Sequence, residues 1–296
     1  MAAIPPFLNL LMIFLYQGGK LPDTEKYQKV QKREPERKLF SKRISPIRYQ
    51  EDITVMTKNT GRDKMENYLE RLQMLYGNEA VDRLKAAKVA VFGVGGVGSY
   101  VVEALARCGI GRLDLFDSDE VVISNINRQL IATFETVGMK KVKAAKARIK
   151  TINPECEVGA NCVFYAPDNA DSFDLSVYDY VVDAVDFVPA KLELAVRCEK
   201  LGVRHISAMG AGNKLHPEML EIADIYKTSV CPLARVMRRE LKKRGVRSLL
   251  CVYSKEQPRE SAVDEQGKRC PASNAFVPSA AGLIIASCVV NCLTGS

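Results

Sequence analysis

Between Lys88 and Asp117 the chain reads KVAVFGVGGVGSYVVEALARCGIGRLDLFD, a stretch that few folds accommodate. Val89 to Phe92 is a short β-branched apolar run that stops at Gly93; Ser99 to Arg107 carries a helical pattern, and Arg112 to Phe116 reads as a second strand. Gly93, Gly95 and Gly98 satisfy G-x-G-x-x-G in this strand-loop-helix setting, with Gly96 beside them. The first glycine allows a tight turn, the second lets backbone approach phosphate, and the third lets helix and strand pack closely. Amides at the helix start then face an anion. Glycines between strand and helix often serve only a turn, but Asp117 ends the next strand about 20 residues on, where a carboxylate meets ribose hydroxyls. A nucleotide site in an α/β sheet is therefore expected, with the nucleotide itself open at this step.

The following segments place charge at the strand ends, where ligands of such sheets bind. Asn125, Asn127, Arg128 and Gln129 crowd the run directly after Asp117. A dehydrogenase has no evident need of a guanidinium there, whereas a triphosphate site does, because Arg forks onto phosphate oxygens. Gly138 to Asn153 reads as a helix closed by Pro154, with Val142, Ala145 and Ile149 at apolar spacing. Lys141 stands in its first turn, a cation opposing the helix dipole that an anionic ligand would make tolerable. Glu157 to Phe164 and Tyr180 to Ala184 read as strands, the second fully buried. Asp186 follows it, at an edge where a carboxylate can bridge magnesium to phosphates. Residues 189 to 201 form a helix and Arg204 to Met209 a further strand. Upstream, Glu66 to Gly77 and Asn78 to Lys85 read as short helices, and Arg71 on the first would in isolation be a solvated charge.

Beyond Met209 a glycine-rich crossing leads to a strand, Leu220 to Tyr226, and a helix, Pro232 to Arg244. On that helix Arg235, Arg238, Arg239 and Lys242 fall within about a 100° arc opposite Leu233, Val236, Met237 and Leu241. Four cations with no acid among them favour a polyanion over an ordinary amphipathic face. Ser248 to Tyr253 is a strand and Lys255 to Arg269 a polar loop of lid length. Phe276 to Leu293 is apolar and rich in small residues; with Asn274, Pro278 and Asn291 around a short stretch, it reads as a packing helix and not a membrane span.

At 296 residues and 47% hydrophobic, the chain can bury one α/β core with an appendage. Of the formal net charge of +8, +6 falls within residues 1 to 64. Ala2 to Tyr16 is apolar but shorter than the ~20 residues a span needs. Pro5 and Pro6 break its start, and no basic residue or clear cleavage site marks a secretory signal. Gly18 to Arg62 is polar and aperiodic, which reads as disorder. Residues 1–65 are thus expected to be an extension, with Met56 or Met65 as the native start and a weak membrane anchor as the lesser reading. Nine cysteines without a C-x-x-C pair read as reduced cytoplasmic thiols, most of them small core residues.

Taken together, G-V-G-G-V-G at 93–98, Asp117, S-N-I-N-R-Q at 124–129, G-M-K-K-V-K at 138–143, I-N-P at 152–154 and D-A-V-D at 183–186 resemble the ThiF/MoeB/HesA superfamily. Those proteins, relatives of ubiquitin-activating enzymes, use ATP and magnesium to adenylate a carboxylate. S-A-M-G-A-G-N-K at 207–214, the run 224–245 and S-N-A-F-V-P-S-A-A-G-L-I-I-A-S at 273–287 are similar to its tRNA threonylcarbamoyladenosine dehydratase branch. The resemblance implies an α/β, Rossmann-like ThiF-type fold with a mainly parallel sheet and a C-terminal α/β extension. Its single domain would cover 66–296, with a nucleotide core at 66–210 and a substrate and dimer part at 211–296. It implies ATP and Mg2+: Gly93, Gly95, Gly96 and Gly98 at the phosphates, Asp117 on the ribose, Asn125, Arg128 and Lys141 on the triphosphate, and Asp186 on the metal. Arg71 matches an arginine that superfamily dimers insert into the partner's site. The implied partners are tRNA and a second copy of the chain, with a cysteine desulfurase or sulfur-acceptor system left open and no obligatory membrane.

The missing C-x-x-C pairs depart from zinc-bearing relatives that activate sulfur carriers. Cys231, at a helix start, and Cys251, in a strand, are candidate thiols for which a core role is the default. Competing readings are adenylation of a sulfur-carrier C-terminus and, from other classes, an NAD-dependent oxidoreductase or a non-catalytic nucleotide sensor.

Overall fold

A computed structural model describes residues 67–263 and 269–296. The expected extension, with its apolar run and its candidate starts Met56 and Met65, lies outside the described residues. In chain order these form α1 (Glu70–Tyr76), α2 (Asn78–Ala86), β1 (Lys88–Phe92), α3 (Gly98–Arg107), β2 (Arg112–Phe116), α4 (Lys141–Ile152), β3 (Glu157–Asn161) and β4 (Tyr180–Asp183). There follow α5 (Val188–Leu201), β5 (His205–Ala208), β6 (Leu220–Asp224), α6 (Pro232–Lys243), β7 (Leu250–Ser254), β8 (Ala262–Val263), β9 (Arg269–Cys270) and α7 (Val277–Thr294).

The main sheet has seven strands in the order β3-β2-β1-β4-β5-β7-β6, parallel throughout except for β6, which runs antiparallel to β7 at one edge. Central strands of such a sheet are buried on both faces, so apolar residues run on without strict alternation. β1 illustrates this: Val89 and Val91 belong to a core shared with α3, α4 and α7, while Ala90 and Phe92 belong to the opposite core with α5. There Phe92 stacks on Phe116 at 4.4 Å and Tyr165 meets it edge-on at 4.9 Å. A third apolar cluster, including Met237, Leu241 and Cys251, seats α6 against β7.

Several boundaries differ from the sequence reading, α1 starting only at Glu70 and β7 spanning Leu250–Ser254. The helix expected from Gly138 begins at Lys141, because Gly138 takes φ +87° and Lys140 is extended, bridging antiparallel to Glu120. β3 ends at Asn161, three residues short of Phe164, where its pairing with β2 runs out. The strand from Leu220 stops at Asp224, whose carboxylate accepts from the Tyr226 amide and starts a 3-10 turn. The polar loop after Lys255 is not free throughout: Glu256 is buried and accepts from the Leu215 and His216 amides, and β8 pairs with β9.

α7 is long and apolar enough to cross a membrane, but half of it is buried in the core. It lies on α3 at Gly282, where a Cβ would sit 2.4 Å from the Val97 carbonyl oxygen. This close approach carries the start of α7 to the glycine loop, with Pro278 against Gly96. Residues 211–296 therefore complete the same sheet and wall the same site.

Candidate nucleotide site

The carboxyl ends of β2, β1 and β4 lie side by side, with Phe116, Phe92 and Asp183 in register. The loop after β1 has little freedom. Gly93 adopts φ +86° and a Cβ on it would stand 2.6 Å from the Ala184 oxygen; at Gly98 a Cβ would stand 1.9 Å from the Gly93 oxygen. These two glycines serve backbone contact, as their spacing predicts. Gly95 differs, since a Cβ there meets nothing nearer than Gln129 Nε2 at 3.7 Å. Its lack of a side chain keeps the space before the loop open. Among the described residues the amides of Gly95, Gly96 and Val97 donate to no protein acceptor, and the first turn of α3 holds no acid. Successive unengaged amides at a helix start suit an anion such as phosphate.

Asp117 closes one side of this space. Its carboxylate accepts from Val94 N at 2.8 Å and Asp119 N at 2.9 Å, so β2 and the glycine loop are tied at the point where a ribose would lie. Burial pushes its carboxyl pKa up, against the pull of Lys141 and the two amides. Lys141 is the first residue of α4 and is 7% exposed; its Nζ holds Asp119 Oδ2 at 2.8 Å. Arg128 runs beside Gly96, its Cγ 3.7 Å from the Cβ position there, and its guanidinium donates to Ser124 O and Asn127 Oδ1. Asn125 is buried and accepts from Val122 N, which shapes the turn that presents Arg128. The structure thus brings together Gly93, Gly95, Gly96, Gly98, Asp117, Asn125, Arg128 and Lys141.

Asp186 is exposed beyond β4, with no hydrogen bond or ion pair among the described residues. The turn that carries it is pinned from within. Asp183 and Lys191, both fully buried, pair at 3.0 Å; Ser207 Oγ donates to Asp183 at 2.6 Å and Lys191 Nζ donates to Val185 O. Sequence reasoning passed over this network, although a lysine inside the apolar face of α5 was its signal. It also passed over Lys214, 3% exposed, whose Nζ donates to Gly210 O and whose pKa burial lowers.

Other candidates lie elsewhere. Arg71 is exposed on α1 and makes no hydrogen bond or ion pair among the described residues. On α6 one of the four expected cations, Arg239, is engaged by an acid that lies beside the stripe, Glu240. Its largely buried side chain pairs with Arg239, Lys243 and Arg244, which hold its carboxyl down to about 2. Arg238 is drawn inward to the Thr228 carbonyl and hydroxyl. Arg235 and Lys242 remain exposed without a partner among the described residues. Cys231 and Cys251 are buried, and burial pushes the Cys251 thiol up to about 12, which makes it a poor nucleophile. Cavities of about 410 and 640 Å³ lie away from the glycine loop, one under Tyr68 and Arg148, the other around His205 and Arg247. The candidate site is an open shelf along the sheet edge.

This arrangement has relatives. The sequence matches the ThiF family over residues 68–296. It is 45% identical over 239 residues to the tRNA threonylcarbamoyladenosine dehydratase of Bacillus subtilis, covering 76% of this chain and 94% of that protein. To the protein of the same name from Escherichia coli it is 38% identical over 190 residues, 62% of this chain and 71% of the relative. The fold is similar to that of E. coli TcdA in complex with ATP, at a TM-score of 0.70 and 33% identity, over 77% of this chain and 94% of that one.

Proposed function

This chain belongs to the ThiF family, and from that premise we propose that it is an ATP-dependent tRNA threonylcarbamoyladenosine dehydratase. The observation that carries the reading is the row of unengaged amides at Gly95, Gly96 and Val97, flanked by Asp117, Arg128 and Lys141. In this reading the loop amides and Arg128 receive the triphosphate, and Asp117 receives the ribose. Lys141 has only to turn from the exposed Asp119 to reach an anion. Asp186 would hold Mg2+ with the phosphates, the usual mode for an ion that keeps most of its waters, and the metal would offset phosphate charge.

The substrate carboxylate attacks the α-phosphorus, the bond to the bridging oxygen breaks, and pyrophosphate leaves. Cations beside the leaving group stabilise the charge that develops there. The carbamoyl group of the same side chain then attacks the activated carbonyl and expels AMP, which carries off the former carboxylate oxygen. Proximity supplies much of the rate, and no protein nucleophile is required, in keeping with the burial of Cys231 and Cys251.

Two partners follow. Arg235 and Lys242 offer exposed positive charge to the tRNA backbone. A second copy of the chain would cover Ile123, Phe134, Met74 and Leu75, which are 66% to 82% exposed, and would bring Arg71 to the neighbouring site. We place the reaction in the cytoplasm. Mass spectrometry of tRNA nucleosides from a deletion strain tests the reading: the cyclic nucleoside should vanish and return with the gene. Unchanged nucleosides, or ATP–pyrophosphate exchange driven by a sulfur carrier and not by modified tRNA, would overturn it.

A further inference from the structure

We propose that Gln129 is a binding residue of the nucleotide site, its carboxamide donating to an oxygen of the bound triphosphate. This rests on the ATP reading above and extends it to a residue with no evident part in the unliganded fold. The backbone of Gln129 is fixed, its amide donating to Asn125 O at 2.9 Å and its carbonyl accepting from Ala132 N at 3.0 Å. The residue is only 6% exposed. Yet Oε1 is buried without a hydrogen-bond partner, and no described residue pairs with Nε2.

A carboxamide carries two donors and an acceptor with two lone pairs, and burying it unpaired is unfavourable. Leu or Met would fill the same volume without that penalty, so the amide group is explained by a state in which it is paired. The direction of the side chain indicates that state. Nε2 lies 3.7 Å from the Cβ position of Gly95, the glycine whose missing side chain leaves the loop open. The Gly95, Gly96 and Val97 amides, also unengaged, bound the same space. Donors converging from backbone and side chain match a phosphoryl oxygen, and a hydrogen bond to a charged acceptor is the stronger kind.

The inference makes stability and binding move in opposite directions. Gln129→Met keeps the length and removes the polar group. The ligand-free melting temperature should hold or rise, while ATP binding with magnesium, followed by calorimetry, should weaken roughly tenfold, the loss of one charge-assisted bond. Gln129→Glu should weaken binding further and recover as pH falls and the carboxylate protonates. ATP binding by Gln129→Met as tight as that of the unaltered chain overturns the inference. So does a Gln129→Met variant that melts earlier yet keeps the full ATP-induced rise in melting temperature, which would mark a packing role. If the unaltered chain itself shows no ATP-induced rise, the nucleotide site reading fails first and this inference with it.

Discussion

Arg128 and Lys141 differ from the core in what holds them. Arg128 leans on a carbonyl and a neighbouring amide oxygen, and Lys141 on an exposed aspartate. An ion pair to an exposed partner contributes little to stability. Arg128→Ala and Lys141→Ala should therefore melt close to the unaltered protein, while each lowers ATP–pyrophosphate exchange about a hundredfold. Near-normal turnover in either would count against the ATP site. Lys191 presents the opposite case. Its ammonium and the Asp183 carboxylate are both fully buried, so Lys191→Met leaves a carboxylate uncompensated and should destabilise by about 3–5 kcal/mol in urea titrations. Replacing Asp183 as well should recover much of that loss, since the remaining charge goes with it. A single variant of unaltered stability would show that the pair is dispensable.

At the scale of elements, β5 and α6 carry the clearest consequences. β5 opens on His205, whose Nε2 is buried and unpartnered; desolvation pushes its pKa down to about 4 from 6.5. Above pH 6.5 the ring is neutral in both folded and unfolded chains and contributes nothing to the pH dependence. Between pH 6.5 and 4 the unfolded chain binds a proton that the folded chain refuses, so stability falls as pH falls. Denaturation midpoints from pH 7.5 downward should show this loss, and His205→Leu should flatten it; an equal slope in the variant would place the titration elsewhere. On α6 the arc of cations is visible in the sequence, while the pairing of Glu240 with Arg239, Lys243 and Arg244 appears only in the fold. Since Arg238 and Arg239 are engaged with Thr228 and Glu240, Arg235 and Lys242 are the pair to replace. Their double alanine variant should weaken tRNA binding at every sequence and flatten its salt dependence, with ATP affinity unchanged. An unaltered slope over a salt series would separate this helix from the nucleic acid.

Over the whole molecule, the local code and the folded arrangement divided the work unevenly. The glycine spacing, the alternation of apolar runs with helical periods and Asp117 at the end of β2 determined a nucleotide-type parallel sheet, because each rests on residues close in the chain. The strands β1 and β4 needed little more than their apolar runs, since both faces are buried and no alternation has to be resolved, whereas β2 also buries Asp114 against Arg112 and Tyr178. Boundaries were harder where a turn competes with a helix or strand, as at Gly138 and Asp224. Only the tertiary structure decided that β6 runs antiparallel at the edge, that Gly282 lets α7 reach the glycine loop, and that Asp183, Lys191 and Ser207 meet beneath Asp186. It also left Gln129 buried and unpaired beside Gly95. These are contacts between residues distant in the chain, and their energies come from burial and from the pairing of polar groups, which no local pattern records.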